Sequence, residues 1–273
     1  MGPLAGVKVL ELGTLIAGPF CGKTLADFGA EVIKVEPPGG VAERRYGPFY
    51  KDIEDPNRSL HFWHYNTSKR SVTLDINTEE GRELFRRLVA TADVLLETTK
   101  PGTLPALGLT YESLAAQNPR LVMTSLTPFG QDGPWRDYLS TDIIHLAGGG
   151  QMAGSGYDTP EDDPEFRPIA PGGGNGYHMG CHFAYIATMA ALYHRKANGG
   201  EGQHVDVCLF DTVIASLSHY AQIFLVNGQT AGILLVLVFG AGTDYALLLV
   251  ARYREELRRH RDRHESMRLA LRR

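Results

Sequence analysis

The chain has little that would build a metal site or a disulfide scaffold. Its 273 residues contain three cysteines, Cys21, Cys181 and Cys208, far apart and without a CxxC pair. That usage excludes a disulfide framework and a structural zinc site, and leaves each cysteine as a small apolar core residue. Positive charge is also scarce. The net charge is −4, and it is uneven: from Ala251 onward nine arginines face four acids, so the first 250 residues carry −9. An acidic body without interleaved basic and aromatic residues argues against nucleic acid as a partner. The N-terminal Met1-Gly2-Pro3-Leu4 lacks a charged segment followed by an apolar one. No secretory signal is expected, and the body reads as cytoplasmic.

What is present is an alternation of apolar strands and helices. Val7 to Leu12 is a short apolar run ending at Gly13, and Ala17-Gly18-Pro19 turns the chain into a helix through Leu25 that Gly29 closes. Glu31 to Glu36 is a second strand, stopped by Pro37-Pro38-Gly39-Gly40. Strand, glycine-containing turn, helix and strand make one βαβ unit. Val41 to Lys69 has little periodicity and reads as a long loop, after which Ser71 to Ile76 resumes a strand. Asn77 is the expected cap of a helix, with Glu80 as its capping-box partner and Leu84, Phe85, Leu88 and Val89 on one face. Strands over Asp93–Glu97 and Leu121–Leu126 flank a short helix near Tyr111 to Ala116.

Residues 148–176 are rich in glycine and acid and read as a ligand-facing connection. An apolar helix from His178 to Arg195, a strand from Gln203 to Val207 and a helix opened by Asp211 follow. The pattern predicts an α/β fold with a Rossmann-like, doubly wound parallel sheet.

Five segments carry a more specific signal. PLAGVKVLELGTLIAGPF with LADFGAEVIKVEPPGG, then NTSKRSVTLDI, ADVLLETTKPG, NPRLVMTSLTPFGQDGP and GEGQHVDVCLFD follow in order across about 210 residues. Together they resemble the class III CoA-transferases, the CaiB/BaiF family, over about residues 3–228. The resemblance implies an enzyme that moves CoA between an acyl-CoA thioester and a small carboxylic acid, with no permanently bound cofactor and no metal. It also implies a homodimer of interlocked chains, although much of the threading segment is missing here.

Phosphates favour helix N-termini and nearby cations. Leu15 to Pro19 presents such a start, and Lys34, Arg44, Arg45, Lys69, Arg70 and Lys100 are candidate cations. Any one of them taken alone reads more simply as a solvated surface charge. The resemblance places the turns around Leu15, Ile16 and Ala17, around Thr73 and Leu74, and around Thr98, Thr99 and Lys100 against CoA.

The resemblance also exposes departures. The family attacks the thioester with an aspartate, and an ungapped count back from Arg195 puts that position at Tyr177. A phenol, with a pKa of about 10, does not form the mixed anhydride. Asp142 matches a position that lines the acyl site, and Asp142, Asp158, Asp162 and Asp163 are the alternative acids, so the nucleophile stays unassigned. The CoA-side motif ENFRPG is replaced by Glu97-Thr98-Thr99-Lys100-Pro101-Gly102, and an expected arginine is Ala106. These changes imply weakened catalysis, or a module that binds acyl-CoA without turning it over. His178 and His182 share a helix face, yet no third ligand accompanies them.

From about Gln229 the composition changes. Thr230 to Val250 is 21 residues with one charge, Asp244, long enough for a hydrophobic transmembrane helix, and the arginine-rich flank suits the cytoplasmic side. The segment 229–273 resembles part of an MMPL/RND-type transporter, in which Asp244 and Tyr245 would sit on a proton pathway. This implies a fusion with membrane contact through 230–250, and a second reading of the chain as a transporter fragment carrying a passenger domain.

Overall fold

The computed structural model describes residues 2–152 and 169–218. The expected tail helix and the acids Asp158, Asp162 and Asp163 lie outside the described residues. The sheet and the candidate site lie within one compact unit, Met1–His145 and Gly172–Thr212. Among the described residues no helix is long and apolar enough to cross a membrane.

Six parallel strands form the sheet: β1 (Lys8–Leu12), β2 (Glu31–Glu36), β3 (Arg70–Thr73), β4 (Val94–Glu97), β5 (Val122–Thr127) and β6 (Gln203–Cys208), in the order β3-β2-β1-β4-β5-β6. β4 and β5 are buried at every residue, as strands covered on both faces must be. β3 at the edge is mostly exposed. It ends at Thr73, short of the expected Ile76, because an edge strand has fewer backbone partners to prolong it.

Helices cover both faces. On one, α1 (Ala17–Asp27) and α7 (Asn175–Ala197) bury Cys21, Leu25, Cys181 and Ala184 against Val9, Val94 and Val122. On the other, α3 (Glu79–Val89) and α5 (Tyr111–Ala115) bury Phe85, Val89 and Leu114 against Leu10, Leu95 and Met123. Leu84, expected on that apolar face, is 39% exposed. The cap of α3 is Thr78 rather than Asn77: its side chain accepts the Gly81 N–H at 3.0 Å. Among the described residues the other α-helices are α2 (Leu60–Tyr65), inside the expected loop, α4 (Thr103–Ala106), α6 (Asp142–Gly148) and α8 (Leu209–Ala215).

Two close approaches set how α1 lies on the sheet. A Cβ on Gly18 would come 2.6 Å from Thr98 Cγ2, and one on Gly22 would come 1.9 Å from Glu11 Oε2. Only glycine lets the helix settle this near the strands. At its C-terminal end α7 is fixed by buried Arg195, which donates to the carbonyl of Arg120 at 2.6 Å and to Asp93 Oδ1 at 2.8 Å. This pins one end of α7 beside β4 and β5, and its N-terminus reaches the opposite, carboxyl edge of the sheet.

Candidate functional site

Strand order reverses between β1 and β4, and in open α/β sheets ligands bind outside the carboxyl ends of the strands at such a point. The turns leaving these two strands are tied together. Thr14 N–H donates to Thr98 Oγ1 at 2.9 Å, so Leu15, Ile16 and Ala17 stand beside Thr98, Thr99 and Lys100. Leu15 has φ of 60°, a left-handed conformation rare for a leucine, and its N–H donates to Glu43 Oε1. Thr99 is turned back on its own strand, its N–H and hydroxyl both donating to Glu97 Oε2, at 2.7 and 2.6 Å. Thr73 and Leu74 close the same edge two strands away, where Leu74 N–H donates to Glu36 O at 2.8 Å.

The expected cations are sorted sharply by burial. Lys34 is 1% exposed, and its ammonium donates to Glu11 Oε1 at 2.8 Å and to Gly13 O at 2.6 Å. It is a core charge that shapes the turn after β1, not a free phosphate ligand. Lys69 lies 2.8 Å from Glu11 Oε2 and donates to Pro19 O at 2.7 Å. Burial pushes its pKa down, with Glu11 opposing. Arg44 is fork-bonded to Glu36 at 2.6 and 2.7 Å, and Arg70 pairs with Glu31. Arg45 and Lys100 remain exposed, and Lys100 shares Asp137 with Arg136. Arg136 was not anticipated; only its position near Gly102 in space, 3.7 Å from where a Cβ would sit, draws it to this rim.

The start of α7 completes the edge. Gly174, its N-cap, has φ of 74°, and a Cβ there would sit 2.7 Å from Ile16 Cδ1. Glycine therefore allows the α7 start to reach the β1 turn. With no side chain at the cap, Asp142 supplies the missing acceptor: its Oδ1 takes the Tyr177 N–H at 3.1 Å. The structure thus joins Asp142 and Tyr177, expected separately from sequence. Burial, then the Asp142 charge, raises the Tyr177 pKa, so the phenol stays protonated at neutral pH.

His145, on α6, is buried, 2.8 Å from Ser140 Oγ and with its ring centroid 6.1 Å from that of Tyr177. Burial lowers its pKa to about 4. His178 meets Tyr65 Oη at 3.1 Å, and both His178 and His182 pack edge-on against Phe20. That is an aromatic cluster, and among the described residues no group of three His, Cys, Asp or Glu side chains could hold a metal ion.

A concavity of about 210 Å³ lies beside the end of β4, lined by Glu97, Lys100, Tyr111, Ser125, Gln131 and His204 among others. His204 stacks on Tyr111 with centroids 5.6 Å apart, and its Nε2 is 2.9 Å from Ser125 Oγ. Glu97 and Lys100, at the end of β4 and in the turn after it, line this concavity.

These features define a doubly wound α/β fold whose strand order reverses between β1 and β4. The chain belongs to CoA-transferase family III, whose model matches residues 4–233. It is 40% identical over 230 residues to a succinate–glutarate CoA-transferase of Agrobacterium fabrum, covering 83% of this chain and 56% of that protein. To a succinyl-CoA–D-citramalate CoA-transferase of Chloroflexus aurantiacus it is 41% identical over 229 residues, covering 83% and 54%. A CAIB/BAIF family protein from Brucella suis superposes with a TM-score of 0.74 at 40% identity, covering 84% of this chain and 59% of that one. The chain spans about half the length of the curated relatives it matches. A model of the MMPL family matches residues 208–273, most of which lie outside the described residues.

Proposed function

We propose that residues 3–228 bind a CoA thioester along the carboxyl edge of β1 and β4, and belong to a cytoplasmic enzyme that exchanges CoA between an acyl-CoA and a carboxylic acid. The carrying observation is the tie between Thr14 and Thr98, which sets the α1 start and the β4 turn side by side at the switch point. The relatives named as CoA-transferases support the reaction class. Leu15, Ile16, Ala17, Thr98 and Lys100 would face the ligand, with Thr73 and Leu74 farther along the edge.

In this reading the acyl group lies toward Asp142 and Tyr177. A mixed anhydride needs a carboxylate, and a protonated phenol there leaves transfer impaired while binding persists. A pure acyl-CoA-binding module is the second reading, and the same tyrosine favours it. For residues 229–273, the MMPL match supports a transporter-derived segment.

Calorimetric titration with CoA tests binding, and an assay of CoA exchange between a thioester and a free acid tests turnover. Saturable binding with slow exchange is expected. Absence of binding at millimolar CoA would overturn the reading, and binding with no exchange would select the module.

A further inference from the structure

Backbone groups in the two turns expected to face CoA already hold this chain's own carboxylates. Leu15 N–H is taken by Glu43 Oε1, and Thr99 N–H by Glu97 Oε2. Glu43 and Glu97 are each 2% exposed. At both strand ends an anionic oxygen stands where a phosphate oxygen would have to go. Glu43 Oε2 is moreover buried without a hydrogen-bond partner, an acceptor left open beside the α1 start.

The charges that could offset a second anion are committed elsewhere. Lys34 and Lys69 serve Glu11, and Arg44 serves Glu36. His61 faces the charge of Glu43, but burial lowers its pKa, with Glu43 opposing, and the ring is neutral near pH 7. A phosphate brought to Leu15 would therefore meet a like charge where water is scarce and the effective dielectric low. A neutral group with an N–H or O–H to donate would satisfy the open oxygen instead.

We infer that Glu43 sets the charge selectivity of this edge. It accepts an uncharged, donor-bearing arm, as in the amide chain of CoA, and refuses phosphate, which is left to the rim cations, exposed Lys100 and half-buried Arg136 foremost. This rests on the CoA reading above.

The test is amide NMR on the full ¹⁵N-labelled chain, titrated separately with pantetheine, inorganic pyrophosphate and CoA. Pantetheine is expected to shift the Leu15 and Ile16 amides, while pyrophosphate leaves them and shifts Gly102. In Glu43→Gln, which keeps an acceptor for Leu15 and removes the charge, pyrophosphate should bind at Leu15 about tenfold more tightly than in the unaltered chain. Glu43→Asp, which keeps the charge, should go on refusing it.

A pyrophosphate shift at Leu15 in the unaltered chain overturns the inference, as does a folded Glu43→Gln with no gain. Should that variant fail to fold, the mapping on the unaltered chain still decides. CoA binding with phosphate at Leu15 sinks this inference alone, whereas no response to CoA or pantetheine sinks the proposed function as well.

Discussion

Glu11 and Lys34 stand opposite each other on neighbouring strands, fully buried, with carboxylate and ammonium 2.8 Å apart. Lys34 also holds Gly13 O, and Lys69 reaches the other oxygen of Glu11. The pair thereby connects the sheet interior to the turn that shapes the site.

Glu11→Gln should destabilise the fold by about 3 kcal/mol, because it strands two buried ammonium groups with no counter-charge. Glu11→Leu combined with Lys34→Met should recover part of that loss, since apolar isosteres of a buried ion pair are often neutral. Chemical denaturation of both variants checks this, and equal loss in both would contradict it.

Gly22→Ala should cost about 2 kcal/mol through overpacking. The new methyl would meet Glu11 Oε2 at 1.9 Å, and that oxygen cannot swing aside while Lys34 and Lys69 hold the carboxylate. A shift of the melting temperature measures it. An unchanged melting temperature would mean the carboxylate is free to move.

Acid should unfold the protein in two windows. His145, lowered by burial to about 4, is neutral in the fold, so its stability contribution is present above pH 6.5 and is lost as pH falls toward 4. For Glu36, burial raises the pKa, but bonds from Arg44, Ser71 and the Val41 N–H outweigh it and hold it at about 2. Its contribution is present above pH 4.5 and is lost toward pH 2, on the order of 2 kcal/mol. His145→Phe should remove the upper window and leave the lower, read from urea midpoints against pH.

Asp142→Ala should cost about 1 kcal/mol by uncapping α7, in line with other helix caps. Hydrogen exchange at the Tyr177 amide should rise more than exchange near Arg195, where α7 is held by other bonds. Equal change at both ends would argue against a local cap.

Tyr177→Asp places a carboxylate at the position that the ungapped count from Arg195 assigns to the nucleophile. Incubation with an acyl-CoA followed by hydroxylamine trapping and peptide mapping should label residue 177 in the variant and leave the unaltered chain without a label there. A label on Asp142 in the unaltered chain would reassign the nucleophile.

Much of the scaffold was legible in the order of residues. Apolar runs bounded by glycine and proline marked the strands, and the alternation of strand with helix dictated a parallel, doubly wound sheet, since burial on both faces demands such runs. The turns at Leu15–Ala17 and Thr98–Lys100 were legible as strand ends for the same reason, whereas their assignment to CoA came from the family resemblance. Folding alone decided what those turns have left to offer. Lysines and arginines look alike in a sequence, and it was packing that put Lys34 inside the core against Glu11 and left Lys100 outside. Glu43, from a stretch without periodicity, gave no sign that it would seal Leu15, and Asp142 none that it would cap a helix 35 residues on. Periodicity reports which face of an element is apolar, whereas pairing between distant polar groups depends on where separate elements come to rest.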